Sequence, residues 1–201
     1  MAMAGPVFLF DLDGTVTAEE LLPRIAAHAG IEPEMRALTE ATVAGRAPFE
    51  ESLRHRVGLL GRLPIAVVRD VCASARLNDD IVGFIRERPE RCAIVTGNLD
   101  VWIRPLAERI GARLFCSTAA VQGDRVVGIA RILRKVTVLD QVDGAPVVAI
   151  GDGHNDAELL ERAAVGVAFG GVHAPASSLL DVCTHAVYDS AHLCRFLRQL
   201  S

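Results

Sequence analysis

The hydrophobic pattern near the N-terminus predicts a strand that is buried on both faces. Residues 7–10 are all large and apolar, without the alternation that a half-exposed strand would show. The run ends in two aspartates one residue apart, Asp11 and Asp13, followed by a glycine. Side chains two positions apart in an extended chain point to the same side, so these two carboxylates can meet at one point. We therefore expect residues 7–17 to connect the hydrophobic core to a reactive site.

A helical pattern follows over the stretch 17–76. Thr17 and Glu20 fit a capping box at the start of a first helix. Further helices, separated by breaks that contain glycine and proline, are predicted at 33–44, 49–60 and 64–75. This stretch is too long for an ordinary loop between a strand and a helix. It predicts a helical cap subdomain inserted after the first strand.

Strands and helices alternate over the rest of the chain. Further core strands are predicted at 92–95, 113–116, 146–150 and 165–169. A small hairpin is predicted at 121–127, around a glycine. Such alternation predicts an α/β fold with a doubly wound, Rossmann-like parallel sheet. The expected division is a catalytic core of residues 1–16 and 77–201, with the cap at 17–76.

The composition narrows the class of protein. The 201 residues suffice for one α/β domain with an insertion, and 51% of them are hydrophobic, as in a globular protein with a substantial core. The net charge of −4 and the lack of a basic cluster disfavour nucleic acid as a partner. No apolar run reaches the length of a membrane span, so we expect no membrane partner. Five cysteines without CxxC spacing indicate reduced thiols. We expect a cytoplasmic monomer or homodimer.

Polar clusters follow three of the predicted strands. They are Asp11, Asp13 and Thr15, then Thr96, Gly97 and Asn98, then Asp152, Asn155 and Asp156. The ends of parallel strands lie at one edge of a sheet, so the clusters can share a pocket, to which Lys135 would add a positive charge. Close carboxylates favour a bound Mg²⁺. The set suits phosphoryl transfer, in which one carboxylate attacks phosphorus and a second moves the proton.

These segments, taken in order, resemble the motifs of the haloacid dehalogenase-like phosphatases. The residues that carry the resemblance are Asp11 to Thr15, Thr96, Lys135, and Gly151 to Asp156. Within that superfamily the chain looks most like the phosphoserine phosphatases, which also carry a helical cap between the first and second motifs. The resemblance implies a Mg²⁺-dependent phosphomonoesterase that acts through an aspartyl-phosphate intermediate.

The resemblance also implies a role for each motif residue. Asp11 would be the nucleophile, and Asp13 the general acid for the leaving alcohol and then the base for water. Mg²⁺ would bind Asp11, the main-chain carbonyl of Asp13, and Asp152. The residues implied to bind phosphate or complete the site are Thr96, Gly97, Lys135, Asn155 and, in support, Asp156.

Three cap residues point to the substrate. Glu20, Phe49 and Arg56 fall where phosphoserine phosphatases recognise the amino and carboxylate ends of their substrate. A zwitterionic amino acid needs an anion for its ammonium group and a cation, preferably a bidentate guanidinium, for its carboxylate. The resemblance therefore implies hydrolysis of L-phosphoserine and a place in serine biosynthesis.

Some features leave alternatives open. The segment Thr96 to Asn98 replaces the usual Ser-Gly-Gly of the family, and Asn98 adds a side chain where glycine normally allows close approach. Another small phosphomonoester, or phosphate transfer to an alcohol such as homoserine, therefore stays possible. A receiver-like phospho-aspartate signalling domain also combines acidic residues, threonine and lysine with Mg²⁺, but has no evident use for a cap. The histidines, His173 among them, show no metal-ligand spacing, and His154 has no assigned role.

Overall fold

A seven-stranded sheet forms the centre of the computed structural model, which describes residues 5–142 and 144–200. Its strands are β1 (Val7–Phe10), β2 (Cys92–Leu99), β3 (Arg113–Gln122), β4 (Arg125–Arg131), β5 (Val147–Gly151), β6 (Val165–Phe169) and β7 (His185–Val187). They lie in the order β4-β3-β2-β1-β5-β6-β7, and all neighbours are parallel except β3 and β4. Residues 1–4, 143 and 201 of the predicted core lie outside the described residues.

Helices surround this sheet and also form the stretch between β1 and the next core element. They are α1 (Leu21–Ala27), α2 (Glu32–Val43), α3 (Phe49–Leu60), α4 (Ile65–Ala73), α5 (Asp79–Glu87), α6 (Asp100–Ile110), α7 (Ala157–Arg162), α8 (Ser177–Leu180) and α9 (Ser190–Gln199). Short 3₁₀ segments occur at Pro89–Arg91, Lys135–Gln141 and His154–Asp156. None of the described helices is long and apolar enough to cross a membrane.

The central strand β1 is buried on both faces. Phe8 and Phe10 belong to the hydrophobic cluster on one face, together with residues of α5, α6 and α9, whereas Leu9 packs on the other face with residues of α7 and α8. All three side chains are fully buried. Because consecutive side chains of a strand point to opposite faces, an apolar run without alternation is what a strand covered on both sides requires. The predicted doubly wound parallel sheet is confirmed.

The helices α1 to α4 leave and rejoin the core through one antiparallel connection. The backbone N–H of Ala18 donates to the carbonyl of Arg76, and that of Asn78 to the carbonyl of Val16, each at 2.9 Å. The entry and exit of this stretch therefore support each other beside the end of β1.

The start of α1 differs from the predicted capping box. The helix begins at Leu21, and Thr17 Oγ1 lies 2.7 Å from the carbonyl oxygen of Glu19 instead of capping the helix. The N–H of Leu21 donates to Asp13 Oδ1 at 3.0 Å. The capping-box prediction is wrong because Asp13, from the preceding loop, takes the free helix N–H. The side chain of Glu20 is thereby left available for other contacts.

Two further differences concern the length of β3 and the presence of the short elements β7 and α8. The prediction at 113–116 covers only the start of β3, whose second half pairs with β4 in the predicted hairpin around Gly123. The sequence pattern predicts neither β7 nor α8, because both are short and carry no clear hydrophobic period. The hairpin also contacts the helical stretch, since the N–H of Ile65 donates to the carbonyl of Asp124 at 2.8 Å.

Replacing Phe84 should destabilise the core strongly. Its ring is fully buried and makes edge contacts with the rings of Phe8 and Phe10, at centroid distances of 5.0 and 6.1 Å. We expect Phe84→Ala to lower the free energy of unfolding by about 3–5 kcal/mol, measured by urea denaturation. Val127→Ala, at a side chain that is 62% exposed, is the control and should change it by less than about 0.5 kcal/mol. A loss below about 1 kcal/mol for Phe84→Ala would contradict this account of the core.

Candidate active site

The carboxyl ends of the central strands open into a cavity beneath the helices α1 to α3. The residues that line it include Asp11, Asp13, Glu20, Phe49, Arg56, Thr96, Gly97, Asn98, Asp152 and Asn155. Lys135 and Asp156 lie directly behind Asp11. The structure thus brings together, in one place, every residue to which the resemblance assigns a role.

Lys135 is held between two carboxylates. Its Nζ lies 2.6 Å from Asp11 Oδ1 and 2.6 Å from Asp156 Oδ1, and all three side chains are buried. Burial acts to lower the pKa of Lys135, but the negative charges of Asp11 and Asp156 outweigh it and raise this pKa above its usual value. The N–H of Gly153 donates to Asp156 Oδ2 at 3.2 Å. Lys135 is therefore a fixed positive charge and not a proton acceptor.

The carboxylates outnumber this one ammonium group. Oxygen atoms of Asp11, Asp152 and Asp156 lie within 4.8 Å of one another. Burial, followed by the negative charges of Asp11, Glu20 and Asp156, raises the pKa of Asp152 well above its usual value. Within the described part of the chain, the buried Oδ2 of Asp152 has no hydrogen-bond partner. Hard oxygen donors with an unsatisfied negative charge fit a divalent cation such as Mg²⁺.

Asp13 has different surroundings from Asp11. Its Oδ1 accepts the N–H of Leu21, whereas Asp11 faces the ammonium group of Lys135. Burial, followed by the charges of Glu20 and Asp11, raises the pKa of Asp13 to about 7. A carboxyl group that keeps a proton near neutral pH is suited to donate it to a leaving group. The two aspartates of the first motif are thus chemically unequal.

Arg56 brings a buried positive charge from helix α3. The residue is only 5% exposed, and its guanidinium donates to the carbonyl of Ser52 and to Thr39 Oγ1, each at 3.3 Å. Among the described residues, no carboxylate oxygen lies within 4.0 Å of it. Burial lowers the pKa of Arg56. A buried guanidinium without a carboxylate partner is costly, and an anionic ligand would offset that cost.

The second motif meets helix α3 at a glycine. The ring of Phe49 lies so close to Gly97 that a Cβ at this position would overlap it. Next to it, Asn98 is buried and its Oδ1 accepts the N–H of Leu99 at 2.9 Å. The N–H of Asn98 donates to Thr96 Oγ1 at 3.1 Å. The side chain of Asn98 therefore fits at the cavity wall, with its amide oxygen held by the N–H of Leu99.

His173 is a residue of this site that the sequence did not indicate. It lies in the loop after β6, and its Nε2 is 3.0 Å from Glu20 Oε1 and 3.1 Å from Asp152 Oδ2, with its hydrogen bond directed to Glu20. That hydrogen bond raises the pKa of His173 above its ordinary value. No metal-ligand spacing along the chain marks His173. The signal in the sequence is its position shortly after β6, because that parallel strand ends at the same edge of the sheet.

Comparison with known proteins agrees with this arrangement. Residues 8–161 match the family model described as haloacid dehalogenase-like hydrolase. The chain belongs to this family. Membership favours a hydrolase over the receiver-like signalling domain that the acidic motif alone had left open.

Within the haloacid dehalogenase-like hydrolases, the chain is similar to phosphoserine phosphatases. That of Methanocaldococcus jannaschii is 30% identical over 178 residues, which cover 81% of this chain and 84% of that protein. That of Archaeoglobus fulgidus is 29% identical over 81% of this chain, which spans about half (52%) of the length of that relative. A solved structure described as a substrate-bound phosphoserine phosphatase complex has a TM-score of 0.85 and 25% identity, covering 98% of this chain and 99% of that one.

Asp152 provides a test of the cation site. We expect Asp152→Asn to weaken Mg²⁺ binding at least about tenfold in calorimetry, because it removes a buried anionic oxygen. In EDTA the same variant should unfold at a higher temperature than the wild type, because the uncompensated charge is gone. Asp181→Asn, at an exposed carboxylate, is the control for both measurements. Unchanged Mg²⁺ affinity in Asp152→Asn would show that the cation binds elsewhere.

Proposed function

We propose that this haloacid dehalogenase-like hydrolase is a Mg²⁺-dependent phosphomonoesterase whose substrate is L-phosphoserine. The observation that carries the substrate assignment is the buried, carboxylate-free guanidinium of Arg56, which lines the same cavity as Glu20 and Asp11. Such a guanidinium suits a substrate carboxylate. The similarity to phosphoserine phosphatases supports the same assignment.

The proposed reaction has two steps on the first motif. In the first, a carboxylate oxygen of Asp11 attacks phosphorus, the bond from phosphorus to the seryl oxygen breaks, and Asp13 gives its proton to that oxygen. In the second, Asp13 takes a proton from water, the water oxygen attacks phosphorus, and the bond from phosphorus to Asp11 breaks. Serine and inorganic phosphate are released, and both carboxylates return to their starting states.

The remaining motif residues stabilise charge in this scheme. Lys135 keeps Asp11 oriented and offers positive charge to the transferring phosphoryl group, together with the hydroxyl of Thr96, the backbone of Gly97 and the side chain of Asn155. Asp156 holds Lys135 in place through their 2.6 Å contact. Asp11, the main-chain carbonyl of Asp13, and Asp152 would hold Mg²⁺, which would neutralise negative charge on the phosphoryl oxygens when bound.

The helical stretch gives the proposed specificity. Arg56 would bind the substrate carboxylate and Glu20 the ammonium group, with Phe49 covering the cavity against Gly97. We propose that residues 17–76 act as a cap that excludes water during the first step, over a core formed by 1–16 and 77–201. A cytoplasmic location and a monomeric or homodimeric state stay predictions.

One observation favours a related activity as the second candidate. Asn98 adds an amide to the cavity beside the second motif, where it could hydrogen-bond a hydroxyl group. This arrangement would suit another small phosphomonoester as donor, or an alcohol such as homoserine as acceptor in place of water.

A substrate panel tests the reaction and the acceptor together. Phosphate release from L-phosphoserine should exceed that from other phosphomonoesters in kcat/KM, and EDTA should abolish it. Asp11→Asn should reduce kcat at least about 10³-fold, because no nucleophile remains. With homoserine present, phosphate released should still equal serine formed. A shortfall of free phosphate matched by phosphohomoserine would establish the transfer activity instead.

Arg56 and Arg54 form a matched pair for the substrate assignment. Both lie on α3, but Arg56 is buried in the cavity wall whereas Arg54 is exposed. Arg56→Ala should raise the KM for L-phosphoserine about 100-fold, because a charge-assisted contact to the substrate carboxylate is lost. Its kcat/KM for p-nitrophenyl phosphate should fall far less. Arg54→Ala should resemble the wild type with both substrates. Equal losses with both substrates in Arg56→Ala would reject phosphoserine.

A further inference from the structure

His173 connects the helical stretch to the core at the edge of the active site. Its Nε2 lies 3.0 Å from Oε1 of Glu20, the residue that precedes α1, and 3.1 Å from Oδ2 of Asp152, which follows β5. The carboxylate of Glu20 can only accept, so the imidazole N–H is the donor. The side chain of His173 is 31% exposed, and that of Glu20 17%. This partly buried contact joins residues 153 positions apart in the chain.

The loop that carries His173 is anchored at both ends. The N–H of Gly170 donates to the carbonyl of Val187, and the N–H of Ala176 donates to the carbonyl of Asp152, each at 2.9 Å. A short loop fixed at two points holds its side chain with little freedom, which is what precise positioning of a neighbouring group requires.

The contact leaves one oxygen of Glu20 for another partner. A carboxylate has two acceptor oxygens, and the imidazole occupies Oε1. In the described residues, no hydrogen bond or ion pair to Glu20 Oε2 accompanies it. With Oε1 held, the carboxylate cannot rotate freely, and Oε2 keeps a defined direction.

We propose that His173 is a positioning residue for substrate recognition: by holding Oε1 of Glu20, it presents Oε2 to the ammonium group of the substrate. The inference rests on the proposed function, because it assumes a substrate that carries an ammonium group. It predicts that His173 contributes to the choice between substrates that differ only in that group.

The test compares two substrates and three variants. L-phosphoserine and 3-phospho-L-glycerate share a phosphate, a carboxylate and the configuration at C2, but the second has a hydroxyl group in place of the ammonium group. His173→Ala should reduce the preference for phosphoserine, as the ratio of the two kcat/KM values, about tenfold, mainly through the KM for phosphoserine. His173→Gln, whose amide can replace the Nε2 donor, should restore most of it. His154→Ala, at a histidine that contacts Ser178, should retain the wild-type preference.

Two further measurements separate positioning of Glu20 from an effect on the cation site. In a Glu20→Gln background, His173→Ala should cause no additional loss of preference, because the two residues act as one unit. Calorimetric titration with Mg²⁺ should give the same dissociation constant for wild type and His173→Ala. A preference that survives His173→Ala rejects the inference, and so does a weakened Mg²⁺ affinity with equal losses for both substrates. A wild-type enzyme without any preference for phosphoserine rejects the proposed function itself.

Discussion

The rest of the site depends on the ion pairs of Lys135, whose ammonium group lies 2.6 Å from both Asp11 and Asp156. Several carboxylates converge where the central strands end, and their burial would be unfavourable without a compensating charge. One lysine balances only part of this negative charge. Among the described residues, a buried oxygen of Asp152 has no hydrogen-bond partner. The remaining negative charge makes this edge suitable for a divalent cation.

The helices above the sheet close this edge into a cavity lined by charges of both signs. Phe49 packs on the bare backbone of Gly97, and Arg56 and Glu20 bring opposite charges to the same space. The connection to the core is short, and Asp13 itself holds the first N–H of α1. One carboxylate of the first motif therefore also anchors the first of the helices to which we assign substrate recognition.

Much of the fold followed from local pattern. The unbroken apolar runs of β1, of β5 and of residues 92–95 in β2 identified strands covered on both faces, because only such strands need no polar side chain. The second half of β3 and the presence of β7 did not follow, since their residues are half exposed and their pairing depends on distant neighbours. The capping box failed for a similar reason. Its signature was present, but a carboxylate from the preceding loop bound the helix N–H instead.

By itself the sequence determined that two carboxylates meet at the end of a buried strand, because the two aspartates, the glycine and the strand before them lie within a few residues of one another. Only the tertiary structure decided how those aspartates differ. Lys135 reaches Asp11 from more than a hundred residues away, while Asp13 faces the charge of Glu20 and the backbone of Leu21. The same holds for His173, whose proposed role rests on the two carboxylates that folding places beside it. Contact between distant residues is set by packing of the whole sheet, and no spacing along the chain records it.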